Sequence, residues 1–243
     1  MSEELVRERQ AAEQGQLVMP FYLICDVSYS MLNDMAALND CLQRLRRAIV
    51  AKPVVDDVAH ICIMTFSDTA KVVMPLGQMS EHQVPTLSVE GGTNYGAAFR
   101  ELANTVKRDA DLLKQQGYKI YRPCAFFLTD GEPLDDDWWD TFKNTLTYNR
   151  TTRVGMRQHP VFVPYGFRDA PEDVLRKLAY PLERGKWYHI KSHDIEQALD
   201  GIINAIMTSV VSSGMSSQTG QPTLVHAQPN VPGMSSGDAE DFI

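Results

Sequence analysis

Carboxyl and hydroxyl side chains alternate at the end of an apolar run near the start of the chain. Residues 21–31 read Phe-Tyr-Leu-Ile-Cys-Asp-Val-Ser-Tyr-Ser-Met, so Asp26, Ser28 and Ser30 follow a predicted strand at alternate positions. All three side chains offer hard oxygen ligands, which suit Mg²⁺, with Mn²⁺ or Ca²⁺ as alternatives. Ligands of an open parallel sheet bind at the carboxyl ends of its strands. The run therefore predicts a divalent cation site at this edge.

Two further segments carry oxygen ligands to the same predicted edge. Thr93 lies in the loop Glu-Gly-Gly-Thr-Asn at residues 90–94, directly before a predicted helix over 94–115. Asp130 follows Leu128 and Thr129 at the end of the most apolar predicted strand. Three loops can thus bring Asp26, Ser28, Ser30, Thr93 and Asp130 together around one cation. The competing interpretation is that these residues are ordinary turn and cap residues, since Asp, Ser and Thr favour such positions.

Apolar runs alternate with helix-periodic segments between residues 17 and 212, which is typical of an α/β sheet. The predicted strands are 20–26, 58–66, 70–75, 121–129, 159–165 and 186–190. The run 70–75 follows its predecessor too closely for a crossover helix, so we expect an antiparallel edge strand there. Predicted helices include one with Leu38, Leu42 and Leu45 on one stripe, and a last one from Asp194 to about residue 211.

We expect three parts in the chain. Residues 1–16 form a polar leader, and residues 17–212 form one α/β domain. Residues 213–243 are rich in Ser, Gly, Pro and Gln and show no apolar period. A segment of that composition cannot bury enough apolar surface to offset its ordering entropy, so we predict a disordered acidic tail.

The charge balance disfavours two classes of partner. The 243 residues include 31 Asp and Glu against 23 Lys and Arg, a net charge of −8, and the sequence shows no basic stripe. We therefore expect neither nucleic acid nor a membrane surface as partner. No run of about 18 apolar residues predicts a membrane span, and the first residues lack the apolar core of a signal peptide. The expected location is the cytoplasm.

The motifs Asp-x-Ser-x-Ser, Thr93 and Asp130, in this order, resemble a von Willebrand factor A domain with a complete metal-ion-dependent adhesion site. Asn39, Gly166 and the run Thr-Asp-Gly-Glu-Pro at 129–133 are similar to the bacterial TerY-like proteins associated with tellurite and stress resistance. The resemblance implies a doubly wound, Rossmann-like α/β fold. Its six-stranded, mostly parallel sheet would have order 3-2-1-4-5-6, with one antiparallel edge strand and helices on both faces.

The resemblance also implies roles for the five residues. Ser28 and Ser30 would bind the metal directly, Thr93 and Asp130 directly or through water, and Asp26 through bound waters. Tyr29 departs from the family, where many relatives have Gly, and its ring would decorate the approach to the metal.

These roles imply a binding module and not an enzyme. In such a module a protein partner donates a Glu or Asp side chain to the metal. For TerY-like proteins the implied setting is a stress or signalling system with a Ser/Thr kinase and a metal-dependent protein phosphatase.

Two other functions remain open from the sequence. A haloacid-dehalogenase-like, Mg²⁺-dependent phosphotransferase also places an Asp after the first strand, but it needs a second Asp where this chain has Ser28. The second alternative is a scaffold that binds its partner through the segment 213–243.

Overall fold

The computed structural model describes residues 15–192 and 194–240. Its main sheet contains eight strands. They are β1 (Leu17–Asp26), β2 (Ala59–Phe66), β3 (Ala70–Gly77), β4 (Lys119–Ile120), β5 (Cys124–Thr129), β8 (Val161–Phe167), β9 (Lys186–Ile190) and β10 (Met234–Asp238). A separate two-stranded hairpin consists of β6 (Tyr148–Asn149) and β7 (Val154–Gly155).

Six α-helices connect or flank these strands in the described part of the chain. They are α1 (Met35–Val50), α2 (Pro53–Val58), α3 (Tyr95–Gln115), α4 (Trp138–Leu146), α5 (Glu172–Leu178) and α6 (Ile195–Ser216). Short 3₁₀ turns cover Tyr29–Asn33 and Ser217–Thr219.

The sheet order is β10-β9-β8-β5-β1-β2-β3, with β4 paired to β1. The α/β prediction is confirmed, and β3 is antiparallel to β2 as the short connection required. The predicted count of six strands and the order ending at 186–190 are wrong. The sheet continues past β9 to β10, which is a second antiparallel edge strand.

Alternate residues of the central strands serve two separate cores. Phe21 and Leu23 of β1 pack in the core shared with α1 and α6, whereas Tyr22 and Ile24 pack in the core shared with α3 and α4. Phe126 and Phe127 of β5 divide in the same way. A strand covered by helices on both faces must be apolar at every position, which explains the unbroken apolar runs.

The segment predicted as a disordered tail is built into the domain. Helix α6 extends to Ser216, and the chain then returns along it. The backbone N–H of Ala227 donates to Ser209 Oγ at 2.9 Å, and that of Val225 donates to Ser213 Oγ at 2.8 Å. Composition predicted disorder because the segment is rich in Ser, Gly, Pro and Gln and shows no apolar period. Instead, its backbone donates to Ser213 and to Ser209, which lies four residues earlier on the same face of α6.

Val231 anchors the same returning segment. It is buried, and a Cβ added to Gly201 of α6 would overlap its side chain. The missing side chain of Gly201 therefore makes room for the segment before β10. Residues 1–14, in the predicted leader, and residues 241–243 lie outside the described residues.

Residues Glu196–Thr219 are long and apolar enough to cross a membrane by length and composition, with a mean hydropathy of 1.2. This was not expected from the sequence. Within the domain 61% of the apolar 18-residue window of this segment is buried, and Leu199, Ile202 and Ile206 belong to the core. The apolar face of α6 is therefore used for packing against the sheet.

Candidate metal-binding site

Asp26 ends β1 with its carboxylate held in a fixed orientation. The side chain is buried, and Oδ1 accepts the backbone N–H of Ser28 at 2.8 Å. The Thr129 hydroxyl, at the end of β5, donates to the other oxygen, Oδ2, at 2.7 Å. The two neighbouring strands β1 and β5 thus position one carboxylate at the carboxyl edge of the sheet.

Ser28, Ser30 and Asp130 form a continuous set of oxygen atoms beside it. The two serine Oγ atoms lie 2.9 Å apart. Ser30 Oγ also donates to Asp130 Oδ1 at 2.6 Å, across 100 residues of sequence. Four of the five predicted site residues are therefore brought together by direct hydrogen bonds or by the turn that follows Asp26.

Thr93 is positioned next to this set through its backbone. Its carbonyl accepts the N–H of Leu134 at 2.9 Å, and the preceding Gly91 carbonyl accepts the N–H of Tyr29 at 3.1 Å. The Thr93 hydroxyl oxygen lies 3.9 Å from the place that a Cβ on Gly131 would occupy. Within the described residues this hydroxyl makes no hydrogen bond to the other four predicted ligands. The three loops nevertheless meet as the sequence predicted.

The Thr93 loop owes its position to an acidic residue of the loop after β5. Asp135 accepts the backbone N–H groups of Tyr95 and Gly96 at 2.8 Å each. Asn94 caps the same helix, accepting the N–H of Ala97 at 2.7 Å. Asp135 therefore caps α3, not the helix that follows it in sequence, and it ties the loop after β5 to the loop before α3.

Two residues that support Asp26 were missed by sequence reasoning. Thr129 donates to the Asp26 carboxylate, and the Tyr95 hydroxyl lies 3.1 Å from Thr129 Oγ1 and donates to the Gly131 carbonyl at 2.8 Å. Thr is common in strands and Tyr is common in cores, so neither residue type signals this role. The only available signal was the position of Thr129 directly before Asp130.

Arg168 was also missed, and it contributes the positive charge of the site. Its Nη1 donates to the Ser30 carbonyl at 3.0 Å and lies 3.5 Å from Asp130 Oδ2. Its Nη2 lies 2.6 Å from Asp34 Oδ2. The residue follows β8 with a φ of 53°, a left-handed conformation that is uncommon for residues other than Gly. Nothing in the local sequence shows that this arginine reaches the loop after β1.

Burial dominates the electrostatics of the three carboxyl groups. It raises the pKa of Asp26 to about 6, although hydrogen bonds from Ser28 and Thr129 oppose the rise. Burial also raises the pKa of Asp130, opposed by the Ser30 hydroxyl and Arg168, and the pKa of Asp34, opposed by Arg168. Ionised Asp26 is therefore held in a place that disfavours a bare negative charge, as expected where a cation is to be bound.

The donor set fits a hard divalent cation. Two carboxylates and three hydroxyls supply only oxygen atoms, the ligands that Mg²⁺ and Mn²⁺ prefer. Among the residues that the structure describes, no group of three or more His, Cys, Asp or Glu side chains can hold a metal.

Large apolar side chains surround the edge at which these oxygens meet. Tyr29, Leu32 and Leu134 are 69%, 61% and 69% exposed, and they lie on two of the three loops. Gly92 lies close to Leu134, since a Cβ on Gly92 would be 3.2 Å from its Cδ1. Exposed apolar groups around a polar centre are typical of a protein-binding surface.

The fold and the position of this edge are similar to those of a von Willebrand factor type A domain. Residues 21–132 match the family model for that domain. The predicted resemblance to this domain is therefore confirmed over residues 21–132. No curated protein matches the sequence.

Several solved structures have a similar fold at low sequence identity. A von Willebrand factor type A protein from Catenulispora acidiphila aligns with a TM-score of 0.55 and 14% identity, over 80% of this chain and 43% of that one. The pilus adhesin SpaC from Lactobacillus rhamnosus GG aligns at 0.57 and 13%, over 82% and 31%.

Proximal thread matrix protein 1 from the mussel byssus, with a zinc-occupied metal-ion-dependent adhesion site, aligns at 0.55 and 12%, over 82% and 49%. The chain thus spans less than half the length of each of these three proteins.

Proposed function

We propose that this domain binds a protein partner through a divalent cation held by Asp26, Ser28, Ser30, Thr93 and Asp130. The observation that carries the proposal is the chain of contacts from Ser28 Oγ through Ser30 Oγ to Asp130 Oδ1, at 2.9 and 2.6 Å. It joins two loops that are 100 residues apart, directly beside the buried Asp26. The mussel structure with zinc in the equivalent motif supports the same use of the fold.

When bound, the cation would act as a Lewis acid that coordinates a carboxylate oxygen of a partner protein. The chain's own residues do the rest. Asp26 and Asp130 balance the two positive charges, while Ser28, Ser30 and Thr93 contribute neutral hydroxyls. Mg²⁺ is the cation that this set suits best.

Arg168 favours an acidic partner over a neutral one. Its guanidinium lies 3.5 Å from Asp130 and partly offsets that negative charge, so a third carboxylate arriving at the cation is not repelled by the full charge of the site. A Glu or Asp of a partner protein supplies such a group, and the exposed Tyr29, Leu32 and Leu134 supply apolar contact around it. An ion contact inside an apolar rim is partly desolvated and is stronger than an exposed salt bridge.

The proposed activity is binding and not catalysis. The pilus adhesin among the similar structures is consistent with an adhesive use of the fold. The placement of this chain with TerY-like proteins, in a cytoplasmic stress or kinase and phosphatase system, remains a prediction from its motifs. A phosphotransferase would hydrolyse an aryl phosphate in the presence of Mg²⁺, and we expect no such activity.

The alternative function, a scaffold that binds its partner through residues 213–243, requires that these residues are free to contact a partner. Much of this segment is already engaged within the domain, through Ser209 and Ser213 and through β10. The metal-binding edge is therefore the better candidate for partner contact.

Affinity capture from extract of the source cells, quantified by mass spectrometry, tests the proposal. We expect a partner that the chain retains in Mg²⁺ and loses in EDTA. The same partner is lost with Asp130→Asn in Mg²⁺, but it is kept with Asp56→Asn. Asp56 is a matched control because its buried carboxylate accepts the backbone N–H of Met79, away from this edge. A partner recovered equally in EDTA and with Asp130→Asn would overturn the proposal.

A further inference from the structure

Five arginines gather at the end of the sheet opposite the metal-binding edge. Arg122 precedes β5, Arg150 and Arg153 lie in the turn between β6 and β7, Arg157 precedes β8, and Arg184 precedes β9. Because β5, β8 and β9 are parallel, their amino ends face one side of the domain and their carboxyl ends face Asp130 on the other. We call these five residues the arginine ring.

Three adjoining cavities share the side chains of the arginine ring. A cavity of about 500 Å³ is lined by Tyr148, Arg150, Arg153 and Arg157. A second, of about 340 Å³, shares Arg150 with the first and also contains Arg122 and Arg184. A third, of about 390 Å³, shares Arg122 with the second and Arg157 with the first. The shared residues make the three cavities one continuous basic surface.

The positive charge of the arginine ring is largely uncompensated. Within residues 15–192 and 194–240 none of the five guanidiniums forms an ion pair with a carboxylate, whereas Arg44, Arg100 and Arg176 each do. Among the residues that the structure describes, Glu183 is the one acidic residue that lines these three cavities. Like charges held close together repel one another, and the fold gains no ion pair in return.

The pKa values of neighbouring groups show that three of the five charges, those of Arg122, Arg150 and Arg184, affect one another. Burial lowers the pKa of Arg122, and the charges of Arg184 and Arg150 lower it further. Arg122 Nη1 is fixed by donating to the His159 carbonyl at 2.8 Å. Burial and the charges of Arg122 and Arg150 lower the pKa of His159 to about 4. The His159 imidazole is therefore neutral near pH 7, and the arginines are the charged groups of this surface.

We propose that the arginine ring binds a phosphoryl group on a phosphorylated segment of a partner protein. The planar guanidinium pairs with phosphate through two parallel hydrogen bonds, and all five residues are Arg instead of Lys. A phosphoryl dianion relieves the mutual repulsion of several guanidiniums at once. The net charge of −8 opposes a long polyanion such as nucleic acid, whereas it has little effect on a short segment held at close range.

Fluorescence anisotropy of the full chain with a labelled peptide carrying two phosphoserines tests this proposal. We expect saturable binding that is equal in Mg²⁺ and EDTA, which separates this surface from the metal site. Arg150→Gln weakens binding about ten-fold or more, as expected for a lost charge-assisted hydrogen bond. Arg47→Gln, an equal charge change at an exposed position of α1, leaves the affinity within about two-fold.

Competing ligands identify the source of the phosphoryl group. Inorganic phosphate should displace the phosphopeptide at higher concentration, because it presents the same chemistry. Equal binding of the unphosphorylated peptide would overturn the proposal, as would an affinity unchanged by Arg150→Gln. The assignment to a protein segment would be overturned if inorganic phosphate bound more tightly than the phosphopeptide. It would also be overturned if a labelled single-stranded RNA bound more tightly than the phosphopeptide.

Discussion

Replacing Asp26 with Asn should make the stability of the metal-free protein less dependent on pH. Burial raises the pKa of the Asp26 carboxyl from 3.8 to about 6 in the native state, so the native state holds this proton more tightly than the unfolded chain. The favourable contribution of the protonated group is complete below about pH 4. It is lost as the pH rises towards and past about 6.

The size of this effect follows from the two pKa values. A native pKa of about 6 in place of 3.8 corresponds to ~3 kcal/mol of stability lost when Asp26 ionises without a cation. Asn cannot ionise, and its side-chain oxygen can still accept the N–H of Ser28. Relative to the wild type, Asp26→Asn should therefore gain ~2 kcal/mol of this total between about pH 4.5 and pH 7.5, because the rest is gained below pH 4.5.

Urea denaturation in EDTA at about pH 4.5, 5.5, 6.5 and 7.5 measures this difference. Comparing the variant with the wild type at each pH cancels most of the titration of other groups. Asp56→Asn, which replaces another buried carboxylate, provides the control. A difference between Asp26→Asn and wild type that stays constant over this range, or that falls as the pH rises, would show that the pKa of Asp26 is not raised in the native state.

Three further predictions concern other parts of the domain. Arg168→Gln removes a positive charge 3.5 Å from Asp130. Isothermal titration should therefore show a Mg²⁺ affinity raised roughly five-fold, or ~1 kcal/mol. An unchanged or weaker Mg²⁺ affinity would contradict the role of Arg168 in offsetting the charge of Asp130. Gly201→Ala should destabilise the protein by ~1–3 kcal/mol in urea, because the new methyl group overlaps Val231. If the returning segment were undocked, the same change would stabilise α6 by up to ~1 kcal/mol. His159, whose pKa is lowered to about 4, should show NMR ring signals of a neutral imidazole down to about pH 5. Since its native pKa is depressed, its contribution to stability is lost as the pH falls from about 6.5 towards 4; titration near pH 6.5 would contradict the assignment.

The parts of the fold that depend on local pattern were predictable. Leu38, Leu42 and Leu45 recur at helical spacing and form the buried stripe of α1, and the apolar run ending at Thr129 forms a central strand. Asp26, Ser28, Ser30 and Asp130 could be placed at one edge because parallel strands end on the same side of a sheet. These predictions needed only periodicity and strand direction.

The parts that depend on long-range contact were not predictable. Arg168 reaches Ser30 across 138 residues, and no local pattern records that pairing. The serines of α6 resemble those of a flexible linker until the backbone of Val225 and Ala227 is seen to donate to them. The strand β10 has little apolar character of its own and is held by its pairing with β9. Composition describes what a segment can bury by itself, but not what a neighbouring element offers it.

Titration with Mn²⁺, followed by the loss of the free-ion signal in electron paramagnetic resonance, tests the proposed metal site most directly. We expect one bound Mn²⁺ per chain, displaced by Mg²⁺. Binding should be lost in Asp26→Asn and Asp130→Asn and retained in Asp56→Asn. A wild-type chain that binds no Mn²⁺, or variants at Asp26 and Asp130 that bind it as the wild type does, would show that these residues do not form a metal site.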